Sequence, residues 1–225
     1  MSTDTPRPSD EAAATVAPAD LEHLDAMQLD ALREVGNIGA GTAASSLSQM
    51  TGQPIGMAVP RVSVLPVEEV PDRVGGEETI VVAVYLRVFG DAPGHIVFIT
   101  AAETAHEVCD QLMGGMGAGE PGPTGFSDME LSALQEIGNI MTGSYLRALA
   151  DLTKLHMEPS PPALGVDMTA ALLSAVLAEV AIHSSMALLI ETAFEEDDMP
   201  NFGHFVYIPE PASLTTVLRG LGLVA

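Results

Sequence analysis

The sequence has no tryptophan, a single cysteine and a single lysine. Aromatic residues make up only 4% of the 225 positions, against 47% for hydrophobic residues as a whole. A core must therefore be built from Ala, Val, Leu, Ile and Met, small or flexible groups rather than large aromatic anchors. With Cys109 alone, a disulfide framework and a Cys-based metal centre are excluded, and the thiol reads as a small buried apolar side chain on a helix. Bases are scarce too: 8 against 31 acids, a formal net charge of -23. Such a chain lacks the Lys and Arg needed to release counterions from nucleic acid or to bind an anionic membrane surface. An acidic surface with Lys154 as its one lysine suits a high-salt cytoplasm, where screening is strong, and equally an acidic protein of a GC-rich genome. Long apolar runs are also missing. The longest, Met168 to Ala178, lies between Asp167 and Glu179 and is too short to span a bilayer. The N-terminus lacks the basic start and apolar run of a signal peptide. These absences together predict a soluble, cytoplasmic protein.

Residues 1–20, rich in Pro, Ala, Ser, Thr and acids, bury too little to offset ordering and are expected to form a disordered tail. A second break, MGGMGAGEPGPT from Met113 to Thr124, is too dense in Gly and Pro for helix or strand. It separates two halves, about 25–115 and 126–225, of one domain spanning 21–225.

The halves are copies. DALREVGNIGAGT begins at Asp30 and SALQEIGNIMTGS at Ser132, and aligning Glu34 with Glu136 gives an offset of 102 (136 − 34). The same offset pairs Asn37 with Asn139, Gly36 with Gly138 and Gly41 with Gly143. After the first copy come a β-rich run, PIGMAVPRVSVLPV, and two strands, TIVVAVYLRVFG and GHIVFIT, joined through a Gly-Asp-Ala-Pro-Gly turn. The helix AAETAHEVCDQLMGG follows and is expected to end at Gly114. After the second copy come a break at Pro159 to Pro162 and a helix from near Asp167 to Val180. Strands around SMALLIETAF and HFVYIP and a closing helix from Ala212 to Gly220 complete that half. The pattern predicts an α/β fold, pseudo-twofold symmetric, in which two α-β-β-β-α halves share one mostly antiparallel sheet. An extra helix is inserted in the second half, and two long motif-bearing helices lie on one face. Separate minidomains would each be of marginal size.

On a helix Asp30, Glu34, Asn37 and Gly41 fall within roughly 60° of one another, as do Ser132, Glu136, Asn139 and Gly143. The opposite side carries Leu32, Gly36, Gly39 and Ala43, or Leu134, Gly138, Met141 and Tyr145, small and apolar groups that let the helix lie close to a sheet. The polar stripe then faces water or a partner. A solvated helix face is the ordinary role of such residues. Here, however, Asn beside Gly, two poor helix formers, recurs mid-helix in both copies. The stripe holds no nucleophile with its base and too few ligands for a metal. An amide can accept and donate at once, and so can orient a water for in-line attack on a phosphoryl group, as the glutamine of small GTPases does. A nearby carboxylate can pair with a lysine of a partner, which must bring the electrophile and the metal.

These residues resemble the CheC family of chemotaxis phosphatases, which includes CheX and the flagellar-switch phosphatases and has an Asp/Ser-x3-Glu-x2-Asn signature. It stands here as Asp30-x3-Glu34-x2-Asn37 and Ser132-x3-Glu136-x2-Asn139. The longer strings EVGNIGAGTAASSLSQM and EIGNIMTGSYLRALADL, and PPALGVDM, are also similar to that family. The resemblance implies hydrolysis of the aspartyl phosphate of a CheY-type response regulator. Asn37 and Asn139 would position water, Glu34 and Glu136 would meet the regulator's lysine, and Asp30 and Ser132 would complete each motif. It implies no intrinsic cofactor, the Mg²⁺ being the regulator's. A second partner, the receptor deamidase CheD, would contact the helix beginning near Asp167. A monomer or weak dimer is expected.

Two other readings compete. One is an adaptor of the same family that binds CheD or a motor component with little catalysis. The other is a self-sufficient metallohydrolase, which the six histidines do not favour, since they show no HxxxH or HExxH spacing. The acidic run Glu195, Glu196, Asp197 and Asp198 reads as a solvated hairpin loop between two strands.

Overall fold

The computed structural model describes residues 24–112, 120–180, 186–194, 203–210 and 212–223. The expected tail (1–20), Gly114 and the acidic run Glu195 to Asp198 lie outside that set.

Each motif sits in a helix of 26 residues, α1 (Ala26–Thr51) and α4 (Asp128–Thr153), whose ends fall at the same 102-residue offset (128 − 26 and 153 − 51). Both begin with a reciprocal capping box, which satisfies two of the amide groups that a helix start leaves unpaired. In α1 the Asp25 carboxylate accepts from the Gln28 backbone N–H (2.8 Å) and the Gln28 side chain accepts from the Asp25 N–H (2.9 Å). In α4 the Glu130 carboxylate accepts from the Ser127 N–H (2.7 Å) while the Ser127 hydroxyl accepts from the Glu130 N–H (3.3 Å). Left-handed residues end both helices, Gly52 (φ 72) and Lys154 (φ 59).

Between and after these helices run the strands β1 (Met57–Pro66), β2 (Ile80–Gly90), β3 (Gly94–Ala101), β4 (Met157–Pro159), β5 (Ala163–Met168), β6 (Met186–Phe194) and β7 (Gly203–Pro209). They form one antiparallel sheet of seven strands in the order β1-β6-β7-β3-β2-β4, with β5 also paired to β2. The centre of the sheet is β3 against β7, one strand from each half. At each flank the first strand of one half lies beside the second strand of the other: β1 pairs β6, and β4 and β5 pair β2. The halves thus exchange their first strands. Residues Ser160 to Pro162 interrupt the exchanged strand of the second half, because proline cannot donate to a ladder.

Both faces of the sheet are covered, so its central strands read as nearly continuous apolar runs. On one face Leu86, Ile96, Leu188, Ile190, Phe205 and Tyr207 pack with α1, α4 and the closing helix α6 (Ser213–Gly220). The helix α3 (Ala102–Leu112) covers Val82 on that side, with Cys109 buried against Leu134 and Phe126. Burial, then the charges of Glu130 and Asp110, push the Cys109 thiol up to about 11, which makes it inert near neutrality. On the other face Val81, Val97, Leu189 and Val206 pack with two elements, α2 (Val70–Arg73) and α5 (Thr169–Val180).

Two expectations need correction. The helix near Asp167 begins at Thr169, and Asp167 is the penultimate residue of β5, opposite Val81, with its carboxylate accepting from the Met168 N–H (2.7 Å). The run ALGVDM follows two prolines and alternates too briefly to announce a strand; it is fixed by its ladder with β2. The second helical insertion also has a counterpart. A 3-10 turn at Val67–Glu69 leads into α2 and starts 102 residues before α5 (169 − 67). The insertion belongs to both halves and is merely shorter in the first.

Glycine permits the close seating of α1 and α4. A Cβ on Gly138 would lie 2.3 Å from Val84 Cγ2, and one on Gly36 3.2 Å from Val59 Cγ1. Where the helices touch, a Cβ on Gly39 would lie 2.5 Å from Tyr145 Cδ1. Gly41 and Gly143, on the outer side, meet nothing within 4 Å. Gly138→Ala is therefore expected to destabilise through overpacking, by about 1–3 kcal/mol, which exceeds the roughly 1 kcal/mol gained by alanine as a helix former. Gly41→Ala gains the propensity without a clash. Thermal melts of the two variants should move in opposite directions.

Glu130 ties the start of α4 to α3. Its carboxyl is held below the ordinary value of 4.5, first by the Ser127 backbone N–H, against the opposing effect of burial, and then by the Ser127 hydroxyl and His106. His106 stands 3.5 Å from it and stacks on Phe126 with ring centroids 3.9 Å apart. A carboxyl depressed in the folded state stabilises above its unfolded value and loses that contribution as pH falls through the folded one. Glu130→Gln should flatten the acid limb of a stability-versus-pH curve below 4.5, and an unchanged limb would remove Glu130 from this role.

Candidate functional site

The faces of α1 and α4 turned away from the sheet carry the motifs. Leu32, Gly36, Gly39 and Ala43 are buried on α1, and Leu134, Gly138, Met141 and Tyr145 on α4. Asp30, Glu34, Asn37 and Gly41 are exposed on the first helix, and Ser132, Glu136 and Asn139 on the second, with Gly143 half-buried. Among the described residues no hydrogen bond or ion pair engages the side chains of Glu34, Asn37, Glu136 or Asn139. An exposed Asn that caps nothing within its own fold keeps both its carbonyl and its amide group for an outside molecule.

The first residue of the motif differs between copies. Asp30 leaves its carboxylate in solvent, whereas the Ser132 hydroxyl donates back to the Asp128 carbonyl at 2.8 Å, a local bond of the kind short hydroxyls make within helices. The flank of each stripe is fixed similarly in both copies: Arg33 donates to the Val59 carbonyl (3.4 Å) on the exchanged strand of the first half, and Gln135 to the Pro162 carbonyl (3.5 Å) in the break just before β5.

Sequence reasoning missed the apolar edge of these faces. Met27 is 76% exposed and Met129 59%, at the same offset (129 − 27 = 102), one residue into each helix, and Ile38 beside Asn37 is 40% exposed. An isolated exposed apolar residue is ordinary. The repetition of an exposed methionine one turn before each motif was legible, but the amphipathic pattern gives such a residue no reason to be in solvent.

Elsewhere the predicted residues are apart from this face. Asp167 is exposed at the end of β5, beside α5. His95 is buried and bonded to the Tyr85 hydroxyl at 2.8 Å, and His106 serves the start of α4. Among the described residues no group of three or more His, Cys, Asp or Glu is placed to hold a metal ion, and no helix is long and apolar enough to cross a membrane.

The sequence model of the CheC-like family matches twice, over residues 27–64 and 129–166. The two matches are separated by the same 102 residues (129 − 27) and cover all but the first residue of each motif helix and most of the exchanged strands β1 and β5. The CheY-P phosphatase CheC of Bacillus subtilis is 37% identical over 197 residues, 87% of this chain and 94% of that protein. The flagellar motor switch phosphatase FliY of the same species is 28% identical over 143 residues, 64% of this chain but 36% of that longer protein. Among solved structures, Thermotoga maritima FliY superposes with a TM-score of 0.68 at 22% identity, covering 88% of this chain and 98% of that one, a likeness of fold. With a repeated motif on paired helices and a relative matched over nearly its whole length, this chain belongs to the CheC-like family.

Proposed function

We propose that the chain is a CheY-P phosphatase that hydrolyses the aspartyl phosphate of a CheY-type response regulator in chemotaxis. Support comes from two relatives, one named a CheY-P phosphatase and the other a flagellar motor switch phosphatase. The observation that carries the reading is that each motif presents a Glu and an Asn, exposed and free of intramolecular bonds, on the outer face of a helix held rigidly by the sheet.

In the proposed mechanism the Asn37 or Asn139 carboxamide oxygen accepts a hydrogen from a water and holds its lone pair toward phosphorus, opposite the aspartyl oxygen. The water oxygen bonds to phosphorus, the bond between phosphorus and the aspartyl oxygen breaks, and the carboxylate leaves with the electron pair. Inorganic phosphate departs carrying the oxygen of the water, and the displaced proton passes to phosphate or solvent. Glu34 or Glu136 pairs with the regulator's lysine and so fixes the approach. Asp30 and Ser132 border the contact. The Mg²⁺ is the regulator's, and this chain contributes no cofactor. The requirement is modest: a ~100-fold acceleration corresponds to about 2.7 kcal/mol, within the range of a well-aimed donor or acceptor.

A second contact accompanies this one. The helix α5 exposes Ala171, Ala175 and Ala178 and only partly buries Leu172, Val176 and Leu177. A cleft of about 260 Å³ between it and the sheet is lined by Tyr85, Leu164, Leu172 and Val176. This apolar surface, together with the exposed Asp167 on the strand that precedes α5, supports a CheD-type protein as its partner. The surface lies on the sheet face opposite the motifs, so catalysis and docking are separable. Ala175→Glu should abolish association with CheD in a pull-down while leaving phosphate loss unchanged.

The decisive assay is decay of the phosphorylated regulator with Mg²⁺ present. Asn37→Ala and Asn139→Ala should each slow it, and the double variant should return it to the regulator's own rate. Both positions are exposed, so stability should stay within about 0.5 kcal/mol. Full activity of the double variant rules out the water-positioning role, and no acceleration by the unaltered protein favours an adaptor.

A further inference from the structure

The two motif faces are copies in shape but not in charge. Counting from Asn139 at 100° per residue, the exposed Arg147 falls about 80° round the helix, on the side shared by Ser132 and Glu136, and the exposed Lys154 follows the last helical residue. Arg147 is exposed and, among the described residues, without an ion pair or hydrogen bond, although Asp151 stands one turn further on. The first helix carries Ser45 and Gly52 at the corresponding positions. Its stripe is therefore wholly acidic, through Asp30 and Glu34, whereas the second sets two cations against Glu136. The basic residue of the first helix, Arg33, leans the other way, toward the Val59 carbonyl.

In a chain of net charge -23, two unpaired cations in line with a functional motif are out of character. Arg147 lies six residues before the end of α4 at Thr153 (153 − 147), short of the last turn, the place where a cation would serve the helix dipole. Lys154 occupies left-handed backbone (φ 59) where the first half has glycine (φ 72), a conformation that a lysine adopts at a cost. Neither cation contributes to the packing described above.

Resting on the phosphatase reading, we propose that Arg147, assisted by Lys154, is the electrostatic docking contact of the second site. It meets carboxylates that border the phosphorylated pocket of the response regulator. Eight residues of helix put its Cα about 12 Å from that of Asn139 along the axis. At that distance it touches the rim of the partner rather than the phosphoryl group, so it governs association and not the chemical step. The first site, bearing Ser45 instead, binds the same partner without this attraction.

The test isolates one site at a time. In an Asn37→Ala background, which leaves the second site, Arg147→Ser should raise KM about two- to fivefold. It should leave kcat unchanged and weaken the dependence of KM on salt. In an Asn139→Ala background, Ser45→Arg should lower KM and introduce that salt dependence. A receiver domain loaded with beryllofluoride, a stable mimic of the phosphate, gives the same comparison by titration without turnover. Equal affinity of Arg147→Ser and its parent at low salt overturns the assignment, as does a fall in kcat alone. An unaltered protein that binds the loaded domain through Arg147 yet fails to speed phosphate loss upholds the docking contact and overturns the phosphatase reading instead.

Discussion

The contact between helix backbone and sheet side chains at Gly36 and Gly138 is what the rest of the molecule depends on. With no Cβ at these positions, Val59 and Val84 rise into the space beside each helix axis, and the helices settle against the sheet with one side fully sealed. Gly39 does the same toward Tyr145, so the helices also lock to each other. Seating at three glycines fixes how each helix is rotated about its own axis. That rotation alone decides that Glu34, Asn37, Glu136 and Asn139 point outward. A bulkier residue in the seam would tilt or roll the helix and turn these exposed side chains in a new direction.

Much of this was legible because it repeats. Two copies at one spacing identify both helices and the stripe, and apolar runs with a turn between them identify β2, β3, β6 and β7. The capping boxes, Asp25 with Gln28 and Ser127 with Glu130, were equally readable and would have fixed both helix starts. What stayed hidden was non-local. Nothing in the alternation of Met57 to Pro66 says that its neighbour comes from the other half, since a ladder is made by backbone groups common to all residues. Asp167 failed as a helix start for the same reason: Ala163 to Met168 is a strand only because β2 is beside it. Arg147 and the two exposed methionines were visible as letters, but their exposure is a property of the assembled surface.

The repeat has preserved the parts that set geometry and released the charge of the solvent side. The helices keep their length, their capping chemistry and the buried glycine beside Asn. They differ at Asp30 and Ser132, at Ser45 and Arg147, and at Gly52 and Lys154, all on the solvent side. A pair of sites with one geometry and two charge patterns can respond differently to partner concentration and to ionic strength.

The exchange of first strands bears on how the chain is made. β1 finds its neighbour only when β6 arrives, more than a hundred residues later, a delay on the order of ten seconds at ordinary rates of synthesis. Until then the first half has an open flank, although α1 already has Val59 of β1 to pack on. Pro60 and Pro66 interrupt the hydrogen-bonding capacity of that waiting strand, which protects the nascent chain from joining a neighbour on the same messenger. Each half can form its own hairpin, β2 with β3 or β6 with β7, but both flanks of the sheet wait for a strand of the other half.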